Sequence, residues 1–306
     1  MEREFLQWLE EQWQQQPGVR VGIGDDAAVV DLPAEYPLVV TTDLLLDGVH
    51  FQTGQHSPQQ IGHKALGVNL SDLAAMAARP VAAVAAIAVP AGEEGGTLAR
   101  ALLAGMQPLA QQFGAPIIGG DTNVTSGPLT VAVTCFGMAP PQGSLLRSGA
   151  KPGDRILVTG TLGGSLLRKH LEFSPRVDEA QLLVSQYEIH AAMDISDGLS
   201  LDLSRMARQS GVGGIVEVSR VPISADAVEM SRTTPDRTPL ERALGDGEDF
   251  ELLLAVPPPV AEELIRHNPL ACPLTDIGQF TAETSLLRRD ADGRVESLPI
   301  VGYLHR

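Results

Sequence analysis

Cysteine is almost missing from this chain. Its 306 residues include two, Cys135 and Cys272, far apart and without a C-x-x-C pair. That excludes a disulfide scaffold and a thiolate zinc site, and it fits a reducing compartment. Basic residues are scarce as well: 22 Lys and Arg stand against 38 Asp and Glu, a formal charge of −16. So acidic a chain suits neither nucleic acid nor an anionic membrane, and it takes an anionic substrate only where cations reverse the local sign. No apolar run of membrane length occurs, because the most apolar stretch, 73–91, is interrupted by Arg79 and Pro80. The common phosphate cradles are absent too: there is no G-x-x-x-x-G-K-[ST], no G-x-G-x-x-G, and no H-R-D with D-F-G.

What is present is a chain long enough for two domains, 43% hydrophobic and therefore able to bury a core. The opening MEREFLQWLEEQW is acidic and amphipathic, unlike a signal peptide; it predicts a helix over 1–16, and the expected location is the cytoplasm. A glycine turn feeding a strand is expected over 21–30, then a strand at 37–42 and a helix over 58–78 bounded by Pro58 and Pro80. A strand at 81–89, a helix at 97–113, a short strand at 116–118 running into Gly119-Gly120-Asp121, and a strand at 129–138 complete the first half. Pro140, Pro141 and Gly143 mark a boundary, and the chain restarts at Lys151-Pro152-Gly153-Asp154 with the strand RILVTG. The second half reads as helices at 178–191, 199–210, 238–245 and 259–267, with strands at 214–218, 250–256, 275–279, 285–288 and 294–297. Neither half alternates regularly between strand and helix. The expectation is an α+β protein of two mixed α/β-sandwich domains, 1–140 and 141–306.

The placement of aspartate is unusual. Asp25-Asp26, Asp43, Asp72, Asp121, Asp194 and Asp197 sit beside glycine or at strand ends, in apolar surroundings nearly free of Lys and Arg. Asp72 shares a helical stripe with Ala65, Asn69 and Met76. A carboxylate facing packed surface must meet a cation or hydrogen-bond donors. Each acid alone has an ordinary explanation: Asp72 as a satisfied core group, Ser196 or Asp197 as a helix N-cap, Gly119–Thr122 and Asp25-Asp26 as tight turns. Together, the six carboxylates of Asp26, Asp43, Asp72, Asp121, Asp194 and Asp197 suit divalent cations. The oxygen-rich set, with Thr41 and Thr42 beside Asp43, points to Mg²⁺ rather than zinc. A carboxylate-held metal shared with phosphate is how an acidic protein binds a polyphosphate nucleotide.

The ordered set GIGDDAAVV (22–30), TTDLLLDGVHF (41–51), IGHKALGVNLSDLAAMAARP (61–80), IIGGDT (117–122), LLRSGAKPGDRILVTGTLG (145–163), MDISDGLSLDL (193–203), GEDFELLL (247–254) and VGY (301–303) resembles the thiamine-monophosphate kinases. These belong to the family that includes aminoimidazole ribonucleotide synthetase and selenophosphate synthetase. The resemblance implies transfer of the γ-phosphoryl of ATP to thiamine monophosphate, with Mg²⁺. It implies metal ligands at Asp26, Asp43, Asp72, Asp121, Asp194 and Asp197, aided by Thr41 and Thr42, and nucleotide contacts at Gly120, Asp121, Arg147 and Ser196. It also implies substrate contacts at His50, Glu248 and Tyr303, and a homodimer whose first domains share a barrel. Asp43, Asp121 and Arg147 are then the residues expected to carry the transfer. The acceptor phosphate, with a second pKa of about 6, is already largely anionic and needs no strong base, so direct transfer without a phospho-enzyme is expected.

The chain departs from the family after GTLGGSLL (160–167), where a longer helical segment usually precedes the stretch resembling KHLEFSPR (169–176). Without the resemblance, Arg147 also reads as an exposed linker arginine, His50 as a strand-end histidine and Tyr303 as an isolated aromatic. Of Glu248 and Asp249, one is expected to reach the substrate and the other to satisfy nearby structure. Lys64 and Asn69 are expected to support their helix. A related ATP-dependent synthetase that activates an amide-type oxygen is the rival reading, whereas selenophosphate synthesis lacks a reactive cysteine near the N-terminus.

Overall fold

The computed structural model describes residues 19–21, 29–30, 36–92 and 94–303. The helix expected over 1–16 and most of the glycine-aspartate stretch, Asp25 and Asp26 included, lie outside the described residues. The chain divides into two compact units. One holds the described residues up to Pro141 apart from Ala74–Ala77; the other holds those four and the described residues from Gln142 onward.

The first unit contains a two-stranded antiparallel pair, β1 (Val19–Val21) and β2 (Val29–Val30), and a four-stranded sheet. The sheet is built from β3 (Leu38–Leu46), β4 (Arg79–Pro90), β5 (Ile117–Thr125) and β6 (Thr130–Met138), in the order β3-β6-β4-β5. Helices α1 (Pro58–Ala75) and α2 (Glu94–Gln112) supply its apolar cover. Helix α1 starts where Ser57 and Gln60 bond reciprocally: the Gln60 amide donates to Ser57 Oγ at 3.2 Å and the Ser57 amide to Gln60 Oε1 at 3.0 Å. This is a capping box, reinforced by Pro58 at the first helical position. The two helices touch backbone to backbone. A Cβ on Gly62 would lie 1.9 Å from the Leu102 carbonyl oxygen, and one on Gly105 would lie 2.0 Å from that of Gln59. Leu66, Leu70, Leu102 and Met106 are wholly buried, as are Val131, Val133 and Cys135 of the sheet. Each large apolar side chain buried this way contributes about 1.5–3 kcal/mol.

The sheet is open. Within the described residues no closed barrel forms; along β3, exposed residues alternate with half-buried ones. This period of two gives the strand two faces with different roles.

The second unit carries a seven-stranded sheet in the order β13-β12-β9-β11-β7-β10-β8. The strands are β7 (Arg155–Thr159), β8 (Ala191–Asp194), β9 (Gly213–Glu217), β10 (Leu252–Val256), β11 (Leu274–Thr281), β12 (Leu286–Arg289) and β13 (Val295–Ser297). Five helices accompany it: α3 (Val177–Gln186), α4 (Leu199–Ser210), α5 (Ala225–Thr233), α6 (Pro239–Gly245) and α7 (Pro258–His267). Ile156, Val158, Met193, Leu253 and Ile277 pack with Leu199, Leu203 and Met206 of α4 in one core.

Three elements differ from expectation. Strand β5 runs straight through Gly119-Gly120-Asp121-Thr122 instead of turning there, because its parallel pairing with β4 extends to Thr125. The helix expected over 178–191 stops at Gln186, and the apolar Ala191–Met193 run becomes a buried strand; a short apolar run carries no periodicity that separates helix from strand. Helix α5 was not expected. It begins at an N-cap, Ser224, whose Oγ accepts from the Ala227 amide at 2.8 Å.

Candidate functional site

In the first unit, three of the expected residues converge. Strand alternation puts Thr41 and Asp43 on the same face as Cys135 and Val133 of β6, the face occupied by Asp72 of α1. Thr41 Oγ1 donates to Asp72 Oδ2 at 2.5 Å. Burial, with the Asp72 charge adding to it, raises the Asp43 carboxyl to about 6. The same two carboxylates, after burial, help push the Cys135 thiol up to about 12, so this cysteine is an inert neighbour. Two acids forced together in partial burial are a place where a hard cation lowers the energy.

Thr42 and Asp121 face the other way. Thr42 Oγ1 lies 2.9 Å from Thr134 Oγ1, and the register Leu44–Ala132–Ala86–Asp121 sets Asp121 on the exposed face. There Asn123 Nδ2 donates to Asp121 Oδ2 at 3.3 Å. Gly120 shares the row of Asp43, and a Cβ on it would lie 1.8 Å from the Ala85 carbonyl oxygen. Only glycine allows β5 to approach β4 so closely. Among the described residues no three carboxylate, imidazole or thiol groups form a ready-made metal cluster.

His50 sits in the turn after β3. The Leu46 amide donates to His50 Nδ1 at 3.0 Å, so Nδ1 is the acceptor and a neutral ring carries its proton on Nε2. Lys64 Nζ, 1% exposed as a residue, donates to the His50 carbonyl at 2.6 Å. Lys64 therefore braces a candidate substrate residue as well as belonging to its helix. Asn69, buried beside it on α1, returns its Nδ2 to the Ala65 carbonyl at 3.1 Å.

In the second unit, the loop between β8 and α4 brings together Ser196, Asp197, Glu248 and Tyr303. Asp194 ends β8, 2% exposed. The Ser196 carbonyl accepts from the Glu248 amide at 2.7 Å, and the Asp197 carbonyl accepts from the Tyr303 amide at 2.9 Å. Two expected substrate residues are thus tied by main-chain hydrogen bonds to two expected metal or nucleotide residues. Neither Ser196 nor Asp197 caps α4. The cap residue is Gly198, and Asp202 Oδ2 takes the Asp197 and Gly198 amides at 2.9 and 3.1 Å. Burial raises Asp202 to about 6, against the Asp197 amide and Arg205, with the Asp197 charge adding. Arg205 Nη1 pairs with both acids, at 2.7 Å from Asp202 Oδ1 and in closer contact with Asp197 Oδ2. No sequence signal marked Arg205, whose i+3 spacing from Asp202 is a common helix-surface pattern. Arg147 is exposed on the loop that precedes β7.

The GEDFE stretch separates its roles cleanly. Asp249 is wholly buried; it accepts from the Gly163 amide at 3.0 Å and from Ser165 Oγ at 2.5 Å. Burial raises it to about 7, against the pull of Lys169 and these donors. Asp249 is thus the structural acid, while the Glu248 side chain keeps 22% exposure.

Comparison with known proteins adds the following. Residues 24–139 match the model of the AIR synthase related protein N-terminal domain, and residues 151–287 match that of the C-terminal domain. The chain is 41% identical to a thiamine-monophosphate kinase of Rhodopirellula baltica, over 100% of this chain and 97% of that one. A crystal structure of thiamine-monophosphate kinase from Stenotrophomonas maltophilia is similar with a TM-score of 0.83 at 33% identity, covering 94% of this chain and 95% of that one. AaThiL, solved in complex with AMPPCP and TMP, is similar with a TM-score of 0.77 at 26% identity, covering 100% of this chain and 97% of that one.

Proposed function

The chain belongs to the AIR synthase related family, and from that premise we propose that it transfers the γ-phosphoryl of ATP to thiamine monophosphate, giving thiamine diphosphate and ADP. The full-length likeness to thiamine-monophosphate kinases carries this reading. Among the described residues no helix is long and apolar enough to cross a membrane.

Magnesium would be held by Asp26, Asp43, Asp72, Asp194 and Asp197 with the Thr41 hydroxyl, while Thr42 and Asp121, on the opposite face of the sheet, would hold an ion of their own. The donor set is hard oxygen throughout, and the mutually repelling pair Asp43 and Asp72 supports the assignment. What the ion supplies when bound is charge neutralisation between two phosphates. The protein's own residues do the positioning. Gly120, Asp121, Arg147 and Ser196 would bind the nucleotide, with Arg147 exposed to meet phosphate charge. His50, Glu248 and Tyr303 would bind thiamine monophosphate, the carboxylate and the aromatic face suiting its cationic ring. Asp197 meets a cation only after releasing Arg205, which then keeps Asp202.

The uncovered face of the four-stranded sheet supports a homodimer. Leu38, Val40 and Leu44 of β3 are 43%, 53% and 54% exposed, and a second copy of the same sheet would cover them and complete a shared barrel.

The test is product analysis with ATP, with and without Mg²⁺, on thiamine monophosphate, thiamine and aminoimidazole precursors. Thiamine diphosphate and ADP in equal amounts, from thiamine monophosphate only, is the expected result. Turnover of unphosphorylated thiamine, or none of thiamine monophosphate, would refute the assignment. Sedimentation of wild type against Leu44→Glu reads the dimer.

A further inference from the structure

The segment that departs from the family pattern, residues 160–176, is folded into two 3₁₀ turns, Ser165–Leu167 and Lys169–Leu171, ahead of α3. It grips four successive side chains of the GEDFE stretch. His170 Nδ1 lies 3.1 Å from Glu248 Oε2. Asp249 takes the Gly163 amide and the Ser165 hydroxyl. The Phe250 ring stacks on Phe173 with centroids 4.1 Å apart. Glu251, 1% exposed, accepts from Lys169 Nζ at 2.7 Å, from Arg176 Nε and Nη2 at 2.7 and 2.8 Å, and from Thr159 Oγ1 at 2.7 Å. The gripped backbone is itself unusual: Glu248 and Phe250 have φ of 63° and 51°, left-handed values that side-chain-bearing residues adopt only when their surroundings hold them there.

Of the four, Glu248 alone has a side chain left partly exposed, and its neighbour His170 is buried, with 4% side-chain exposure. An ionised carboxylate only accepts, so His170 Nδ1 is the donor. We infer that His170 is a positioning residue for the substrate site: it fixes the Glu248 carboxylate in the orientation from which that carboxylate meets thiamine monophosphate. The inference rests on the reading of Glu248 as a substrate contact. A carboxylate repels the substrate's phosphate, so what it meets is the thiamine moiety, through its cationic thiazolium ring or the amino group of its pyrimidine. The buried imidazole sets where the carboxylate points, and so contributes to recognition without touching the substrate.

Three substitutions test this in the full-length protein. His170→Phe keeps the ring volume and removes the donor. His170→Asn keeps an N–H near the place of Nδ1, and His170→Gln puts its amide beyond that place. H170F and H170Q are expected to raise KM for thiamine monophosphate, and its Kd by calorimetry, about tenfold, the worth of a hydrogen bond to a charged group. KM for ATP stays unchanged, kcat at saturation stays within about twofold, and H170N recovers most of the loss. In a Glu248→Gln background, H170F adds nothing further. Wild-type affinity in H170F, or equal losses in all three variants that persist in the E248Q background, would overturn the positioning role. E248Q with unaltered affinity would instead overturn the assignment of Glu248. If H170F melts below assay temperature, the contrast between H170N and H170Q decides.

Discussion

The Tyr303 amide donates to the Asp197 carbonyl at 2.9 Å, which fastens the last described residue to the loop that opens α4. Ser200 Oγ secures the same segment from the other side, accepting from the Val301 amide at 3.0 Å and donating to the Val301 carbonyl at 2.8 Å. A candidate substrate residue near the end of the chain thus takes its position from a candidate metal ligand about a hundred residues earlier.

Gly302 lies at that junction. A Cβ there would stand 2.5 Å from the Asp197 carbonyl oxygen and 2.7 Å from Leu201 Cβ. Gly302→Ala is therefore expected to displace Tyr303 and raise KM for thiamine monophosphate at least about fivefold, with KM for ATP little altered. Steady-state kinetics with each substrate varied in turn decides it, and an unchanged KM for thiamine monophosphate speaks against a substrate role for Tyr303.

Asp43→Asn should trade activity for stability. Above pH 6 the ionised, half-buried Asp43 costs free energy beside Asp72, a cost that the neutral amide avoids. Discounted for partial exposure, about 1–2 kcal/mol of added stability is expected at pH 8 without metal, together with a fall in kcat of about 100-fold or more. Urea melts and turnover on the same preparation read both. A less stable D43N contradicts the repulsion.

Asp249 gives the folded protein a pH signature. Its carboxyl is raised to about 7 in the folded state, so the fold holds a proton that the unfolded chain releases above about pH 4. The stability this contributes is complete below the unfolded value and is lost as pH rises to about 7. The loss amounts to at most about 4 kcal/mol. Asp249→Asn should flatten the pH 4–7 slope of chemical denaturation; an equally steep slope in D249N would assign it to other groups.

Arg205→Gln removes the guanidinium that pairs with both Asp197 and buried Asp202. Without metal the variant should lose about 1–3 kcal/mol, because Asp202 keeps its burial and loses its cation. With the competitor gone from Asp197, the Mg²⁺ concentration that gives half-maximal thermal stabilisation should fall. Thermal melts across a Mg²⁺ titration read both. A midpoint that rises would mean that Arg205 supports the cation site.

Much of this architecture is legible in the amino-acid order. Helix α4 falls on 199–210 because amphipathic periodicity and glycines at both ends bound it, and α1 starts at its Pro58 signal for the same kind of reason. The course of Gly119–Thr122 is not legible: glycine pairs mark turns, and only the parallel partner β4 keeps this one extended. The acids stand out in sequence by their apolar setting, but their sorting depends on tertiary neighbours. Asp43 and Asp72 meet across a strand and a helix, Thr42 and Asp121 point to the opposite face, and Arg205 reaches Asp197 from eight residues along. Asp249 and Glu248 look alike as letters. Their separation into a structural and a partly exposed acid comes from where Gly163 and Ser165 stand.

Strand β3 serves two masters at single-residue spacing, with Thr41 and Asp43 inward and Val40, Thr42 and Leu44 outward. A codon inserted within it would reverse the facing of every residue on one side of the insertion, turning either Asp43 toward the bare surface or apolar neighbours toward the carboxylate pair. Over evolutionary time, then, the length of this strand has far less freedom to drift than the loops flanking it, and indels near it should be confined to the turns.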